Sequence, residues 1–72
     1  MKILTQDRAR IFSFSGDVWV TETPDGGHVV AEKVNGSPYI GTYKDVDRAS
    51  EVLKEIFQYY RDGKKSYIMT LE

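Results

Sequence analysis

The chain has no cysteine. That excludes a disulfide framework and a cysteine-based zinc site, the two commonest staples of very small domains. It has one histidine, His28, so a metal site would need several carboxylates beside it. Glu22 and Asp25 are near it in sequence, but nothing has ligand spacing like a His-x-x-x-His pair. No apolar run approaches the ~20 residues of a membrane span. The opening MKILTQDRAR is too poor in apolar residues for a secretory leader. There is no excess of one charge: ten basic and eleven acidic residues leave a formal net charge of -1. Dedicated nucleic-acid binders usually carry a basic excess, so this balance argues against one. Repeats, low-complexity runs and linkers are also missing. The expectation is one domain over residues 1–72, in the cytoplasm, with no membrane association and no cofactor.

Seventy-two residues bury only roughly 60% of the surface that the unfolded chain exposes. The core must therefore be well organised, or be completed by self-association. The organising stretch is DVDRASEVLKEIFQYYRDG, residues 45–63. Val46, Ala49, Val52, Leu53, Ile56, Phe57 and Tyr60 recur at steps of three and four, which places them on one stripe of an α-helix. Glu51, Lys54, Glu55 and Gln58 fall on the opposite face. Asp45 is suited to the N-cap, where its carboxylate accepts a first-turn N–H. Gly63 is suited to the left-handed residue that closes a helix.

Before the helix the chain reads as strands, over residues 2–6, 10–14, 18–23, 28–34 and 37–43. VWVTET is rich in β-branched residues. Pro24-Asp25-Gly26-Gly27 is the strongest turn signal, and Asn35-Gly36 matches a two-residue type I′ hairpin turn. A further short strand, SYIMTL, is open at residues 66–71. The fold class expected is α+β: an antiparallel meander of about five strands covered on one face by a single C-terminal helix.

Turn lengths imply a register. A four-residue loop at 24–27 sets Val20 opposite Ala31, and a two-residue loop at 35–36 sets Glu32 opposite Tyr39. Opposed residues share a face of the sheet. One face then carries Val18, Val20, Val29, Ala31 and Ile40 and seats the helix. The other carries Trp19, Thr21, Val30, Glu32, Tyr39 and Tyr43. A one-residue slip would exchange the faces of a strand.

No catalytic constellation emerges. His28 reads as a surface strand residue after a turn. Asp25-Gly26-Gly27 leads into a strand, whereas phosphate-cradling glycine loops lead into a helix. Asp45, Asp47, Glu51 and Glu55 lie at the helix start and on its polar face, not in a cleft. The serines have no nucleophile-elbow context. Arg61, Lys64 and Lys65 complement the helix dipole at its C-terminus; Arg8 and Arg10 would be needed to extend them into a basic edge.

The opening Met1-Lys2-Ile3-Leu4-Thr5-Gln6-Asp7 is similar to the starts of a group of small uncharacterised proteins of Gram-positive bacteria and their prophages. Ile40-Gly41-Thr42-Tyr43-Lys44, followed by a helix with Ala49 and Val52-Leu53-Lys54-Glu55-Ile56-Phe57, resembles the same group. The resemblance covers both ends of the chain and is weak across residues 8–36. It implies an origin in a low-GC Gram-positive or phage-related genome and carries no activity.

The functional expectation rests on surplus aromatics. Trp19, Tyr39, Tyr43, Tyr59, Tyr60 and Tyr67 are more than one helix can cover. A non-enzymatic protein-interaction module follows, with Trp19, Glu32, Tyr39 and Tyr43 as contact residues and a second copy as the default partner. The alternative is a small nucleic-acid-associated module that uses Arg61, Lys64 and Lys65 with exposed tyrosines for stacking.

Overall fold

A computed structural model describes residues 1–32 and 38–72. In chain order the elements are β1 (Lys2–Leu4), β2 (Ile11–Ser13), β3 (Val18–Thr23), β4 (Gly26–Ala31), β5 (Tyr39–Tyr43), α1 (Val46–Arg61) and β6 (Ser66–Ile68). The class is α+β with one helix, as expected. The described strands form two three-stranded sheets, ordered β2-β1-β6 and β3-β4-β5. Only the second sheet is the expected meander. The chain between β2 and β3 does not pair them; it carries Phe14 toward the helix, where its ring stacks on Tyr60 with centroids 5.3 Å apart.

The open question at the C-terminus is answered by β6, which pairs in parallel with β1, Ile3 opposite Tyr67. Its signal is weak because only Ser66, Tyr67 and Ile68 form ladder pairs, and parallel pairing is not announced by a hairpin turn.

The helix forms where its local signals place it. The Asp45 carboxylate accepts the Arg48 N–H at 2.8 Å, closing the first turn. At the other end Gly63 takes φ 72, the Gly63 N–H donates to Tyr60 O, and the Lys64 N–H donates to Tyr59 O. This pair of bonds is the Schellman closure, and it needs a residue without a Cβ penalty at the left-handed position. Ala49, Val52 and Ile56 are buried against the face of β3-β4-β5 that carries Val18, Val20, Val29 and Ala31. Each fully buried branched aliphatic contributes ~1.5–3 kcal/mol. The approach is close: a Cβ on Gly27 would lie 2.6 Å from Val46 Cα. Glycine at that position lets the start of the helix sit on the central strand.

The β3-β4 turn is shorter than expected. Thr23 pairs with Gly26 and Val18 with Ala31, so the loop is Pro24-Asp25 alone, with the Asp25 N–H donating to Thr23 Oγ1 at 3.2 Å. The slip is two residues, an even number, so each side chain keeps its expected face. The Asn35-Gly36 turn lies outside the described residues. Between β4 and β5 the register shifts at Val29/Val30, giving Val29 opposite Gly41 but Val30 opposite Tyr39. Ile40 remains in the core, 1% exposed.

The two sheets meet at Gln6. Its N–H donates to Ile40 O at 2.9 Å. Its side-chain amide behaves like a peptide group toward β5: Oε1 accepts the Thr42 N–H at 2.7 Å and Nε2 donates to Thr42 O at 2.9 Å. Nε2 also donates to Leu71 O at 2.9 Å.

Candidate functional site

The outer face of β3-β4-β5, opposite the helix, carries a row across three strands. Trp19 pairs with Val30, and Val30 pairs with Tyr39. Trp19 and Tyr39 are each 44% exposed, whereas Val30 between them is 4% exposed. Among the described residues no other helix or strand lies against this face. Beside the row sits His28, buried on the same face. Tyr39 stacks on its imidazole, with ring centroids 4.5 Å apart and an interplanar angle of 16°. Nε2 lies 2.6 Å from Thr23 Oγ1 and Nδ1 lies 2.9 Å from Thr42 Oγ1. A neutral imidazole donates from one nitrogen and accepts at the other, and a threonine hydroxyl can serve either role. Both nitrogens are therefore occupied within the sheet, and the aromatic row rests on a satisfied polar anchor.

Two expected contact residues are not in this row. Glu32 lies beyond the end of β4, exposed, with its N–H donating to Asp17 O at 2.9 Å and its Oε2 accepting the Asp17 N–H at 3.2 Å. The shorter Pro24-Asp25 loop slides β4 by two residues, so Val30 stands where Glu32 was expected. Tyr43 is on the opposite face, 4% exposed in the core. It pairs with Gly27; Gly41 leaves room for its ring, since a Cβ there would lie 2.9 Å from Tyr43 Cε2, and its phenol donates to Thr70 O at 2.9 Å. Burial pushes the Tyr43 phenol up, offset in part by the hydrogen bond with Thr70. His28 also departs from expectation, since a surface position was foreseen.

A second apolar surface was not foreseen. Phe14, Val18, Leu53, Ile56 and Phe57 line a groove of about 510 Å³ between the start of β3 and the flank of α1, with Lys54, Gln58 and Arg61 along it. Phe57 is 59% exposed. The sequence did contain a signal: a stripe of seven apolar positions is wider than a three-stranded sheet can bury, and Leu53, Phe57 and Tyr60 are its overhanging side.

Arg8 and Arg61 are each engaged within the fold. Arg61 lies 3.4 Å from Asp62 in an exposed ion pair. Arg8 Nη1 donates to Met69 O at 2.6 Å, in the seam between the N-terminal turn and the segment after β6. Tyr59 packs edge-on to Tyr67, and Tyr60 stacks on Phe14. Tyr67 donates to Glu55 Oε1 at 2.8 Å; burial first, then this carboxylate, pushes its phenol well above the usual tyrosine value. Asp7 is shifted the other way, its carboxylate stabilised by the Thr5 hydroxyl and the Ala9 N–H.

Among the described residues no group of three or more histidine, aspartate or glutamate side chains is placed to hold a metal ion, and no helix is long and apolar enough to cross a membrane. Comparison with protein-family models, with curated proteins and with solved structures returned no match.

Proposed function

We propose that the chain is a non-enzymatic protein-interaction module that associates with itself. Its setting is cytoplasmic and, following the resemblance of its first residues, phage-related or accessory. The observation that carries the reading is the row Trp19–Val30–Tyr39. Two large aromatics stand half-exposed on a sheet face that no other described element covers. Large apolar patches left open on small proteins usually mark contact sites, and Trp and Tyr dominate their energetic centres. Beneath Tyr39 the imidazole of His28, bonded to Thr23 and Thr42, seats that ring on the strands, which lowers the ordering cost of binding. The nucleic-acid alternative has weaker support, because the tyrosines nearest Arg61 already pack against Tyr67 and Phe14.

The test is Trp19→Ser. The parent is expected to sediment as a dimer, with indole emission moving to shorter wavelength as concentration rises. The variant is expected to keep the parent circular dichroism spectrum and to dissociate at concentrations where the parent does not. A parent that stays monomeric to about 1 mM, the weak limit of specific association, and shows a buried indole throughout would remove the proposal.

A further inference from the structure

The β3-β4-β5 sheet has two edges, and they are in different states. At the β5 edge the outward carbonyl of Ile40 and both outward backbone groups of Thr42 are occupied by Gln6. At the β3 edge they are not. In an antiparallel ladder alternate residues direct their N–H and C=O groups toward the neighbouring strand. Glu32 N–H donates to Asp17 O, and Asp17 is in line with the Val18–Ala31 register. Trp19, Thr21 and Thr23 therefore bond to β4, while Val18, Val20 and Glu22 aim their backbone groups outward. Among the described residues those groups have no partner. The strand VWVTET contains neither proline nor lysine and has no bulge against β4, three of the devices by which natural sheets block edge pairing, and its one charge is Glu22.

We propose that two copies of the chain join at this edge. β3 of one copy pairs antiparallel with β3 of the second about a two-fold axis at Val20. This inference rests on the reading of the chain as a self-associating module and names the surface involved. In this register Val18 opposes Glu22 of the second copy, Val20 opposes its own equivalent, and Trp19 opposes Thr21 of the second copy. Of the registers open to the strand, this one engages Val18, Val20 and Glu22 together.

Side chains support the same register. Val18, Val20 and Glu22 share the helix side of the sheet, so Glu22 of the second copy arrives beside Val18. That is the mouth of the apolar groove, where the charged lining is Lys54 and Arg61 and contains no acid. The helices agree as well. Gly27, paired with Glu22, lies under Asp45 and Val46, whereas Val18 faces the C-terminal half of α1. The helix is thus antiparallel to β3, and the two-fold axis sets the helices of the two copies antiparallel. The basic last turn with Arg61 then points toward the acidic first turn with Asp47, and Leu53 and Phe57 gain cover. On the outer face the two Trp19 side chains come to lie beside the axis, which joins the two aromatic rows into one surface.

The experiment is a charge swap followed by sedimentation velocity on the full chain, from about 1 µM to about 1 mM. Glu22→Lys and Arg61→Glu are each expected to weaken the dimer at least tenfold, while the double variant regains most of the parent affinity. Glu22 and Arg61 are exposed, so circular dichroism is expected to stay native in all three. A dimer indifferent to both single changes, or a double variant no tighter than the singles, overturns the edge pairing. If Trp19→Ser alone loosens the dimer, the copies meet face to face and the module reading stands without this inference. If the parent is monomeric at every concentration, both fall. If it is monomeric alone but saturates with an added acidic extended peptide, the edge takes a foreign strand and the homodimer is overturned.

Discussion

The two edges of the β3-β4-β5 sheet present the same chemistry, rows of backbone donors and acceptors, and the chain treats them differently. Along β5 one glutamine does the work of a strand: Gln6 receives Thr42 N–H and returns a bond to Thr42 O with its side-chain amide. Along β3 the backbone of the six residues Val18–Thr23 pairs, among the described residues, with β4 alone. A protein this small has few residues with which to close an edge, and here they are concentrated on the side where the N-terminal turn and the tail converge. Edge protection is thus a local arrangement of particular side chains, not a general property of a fold.

The contrast can be broken at the sealed edge first. Gln6→Ala removes a donor and an acceptor and cuts the link between β5 and the segment ending at Leu71. A loss of ~1–3 kcal/mol is expected, the usual cost of orphaning paired polar groups, measured by urea denaturation. A loss of a few tenths would mean that water replaces the amide and that the β5 edge is no better closed than the other.

An intermediate effect is expected from alkali. Tyr67 and Tyr43, both in the core behind the seam, have phenols whose folded-state pKa is raised above the unfolded value of 10.0, chiefly by burial. The fold retains protons that the unfolded chain releases. That stabilising difference is complete below pH 10.0 and declines as the pH rises above it toward the folded value. The melting temperature should fall steeply above that point, and Tyr67→Phe should flatten the fall. An unchanged slope in the variant would remove Tyr67 from this account.

The smallest effect is expected at the open edge. Glu22→Pro deletes an N–H that points away from β4, and proline is tolerated on edge strands at such positions. At protein concentrations too low for association, the stability change should stay within about 0.5 kcal/mol, the range of ordinary surface substitutions. A loss as large as that from Gln6→Ala would show that the Glu22 N–H serves the monomer.

These edges also show where a sequence is readable. The helix is legible because its information is local: Asp45, Gly63 and the three–four spacing all lie within the segment they define. The strand Val18–Thr23 is legible from its β-branched residues, and the helix-facing set Val18, Val20, Val29 and Ala31 survives a mistaken loop length because the slip is even. Tyr43 and Glu32 are the converse. Their places depend on loop length and on the shift at Val29/Val30, and β-pattern alone does not encode those. Gln6 looks like a turn residue, since nothing within a few positions shows that its amide will meet Thr42 across the fold. Of the contact row, Trp19 and Tyr39 were legible as exposed aromatics; the groove was visible only as an unexplained excess on the helix stripe.

The parallel pairing of β1 with β6 has a consequence for how the molecule reaches its native state. Lys2 must find Ser66 and Ile3 must find Tyr67, across nearly the whole chain. The β3-β4 hairpin, by contrast, joins neighbours across Pro24-Asp25, and α1 forms from contacts one turn apart. Closing a long loop costs entropy before any contact repays it, so the β1–β6 ladder is expected to close last, whereas β1 pairs with β2 across a short turn. Until then the edge of β3 is already formed and already exposed, so a strand whose outward backbone groups have no partner among the described residues is also among the first available to a second chain.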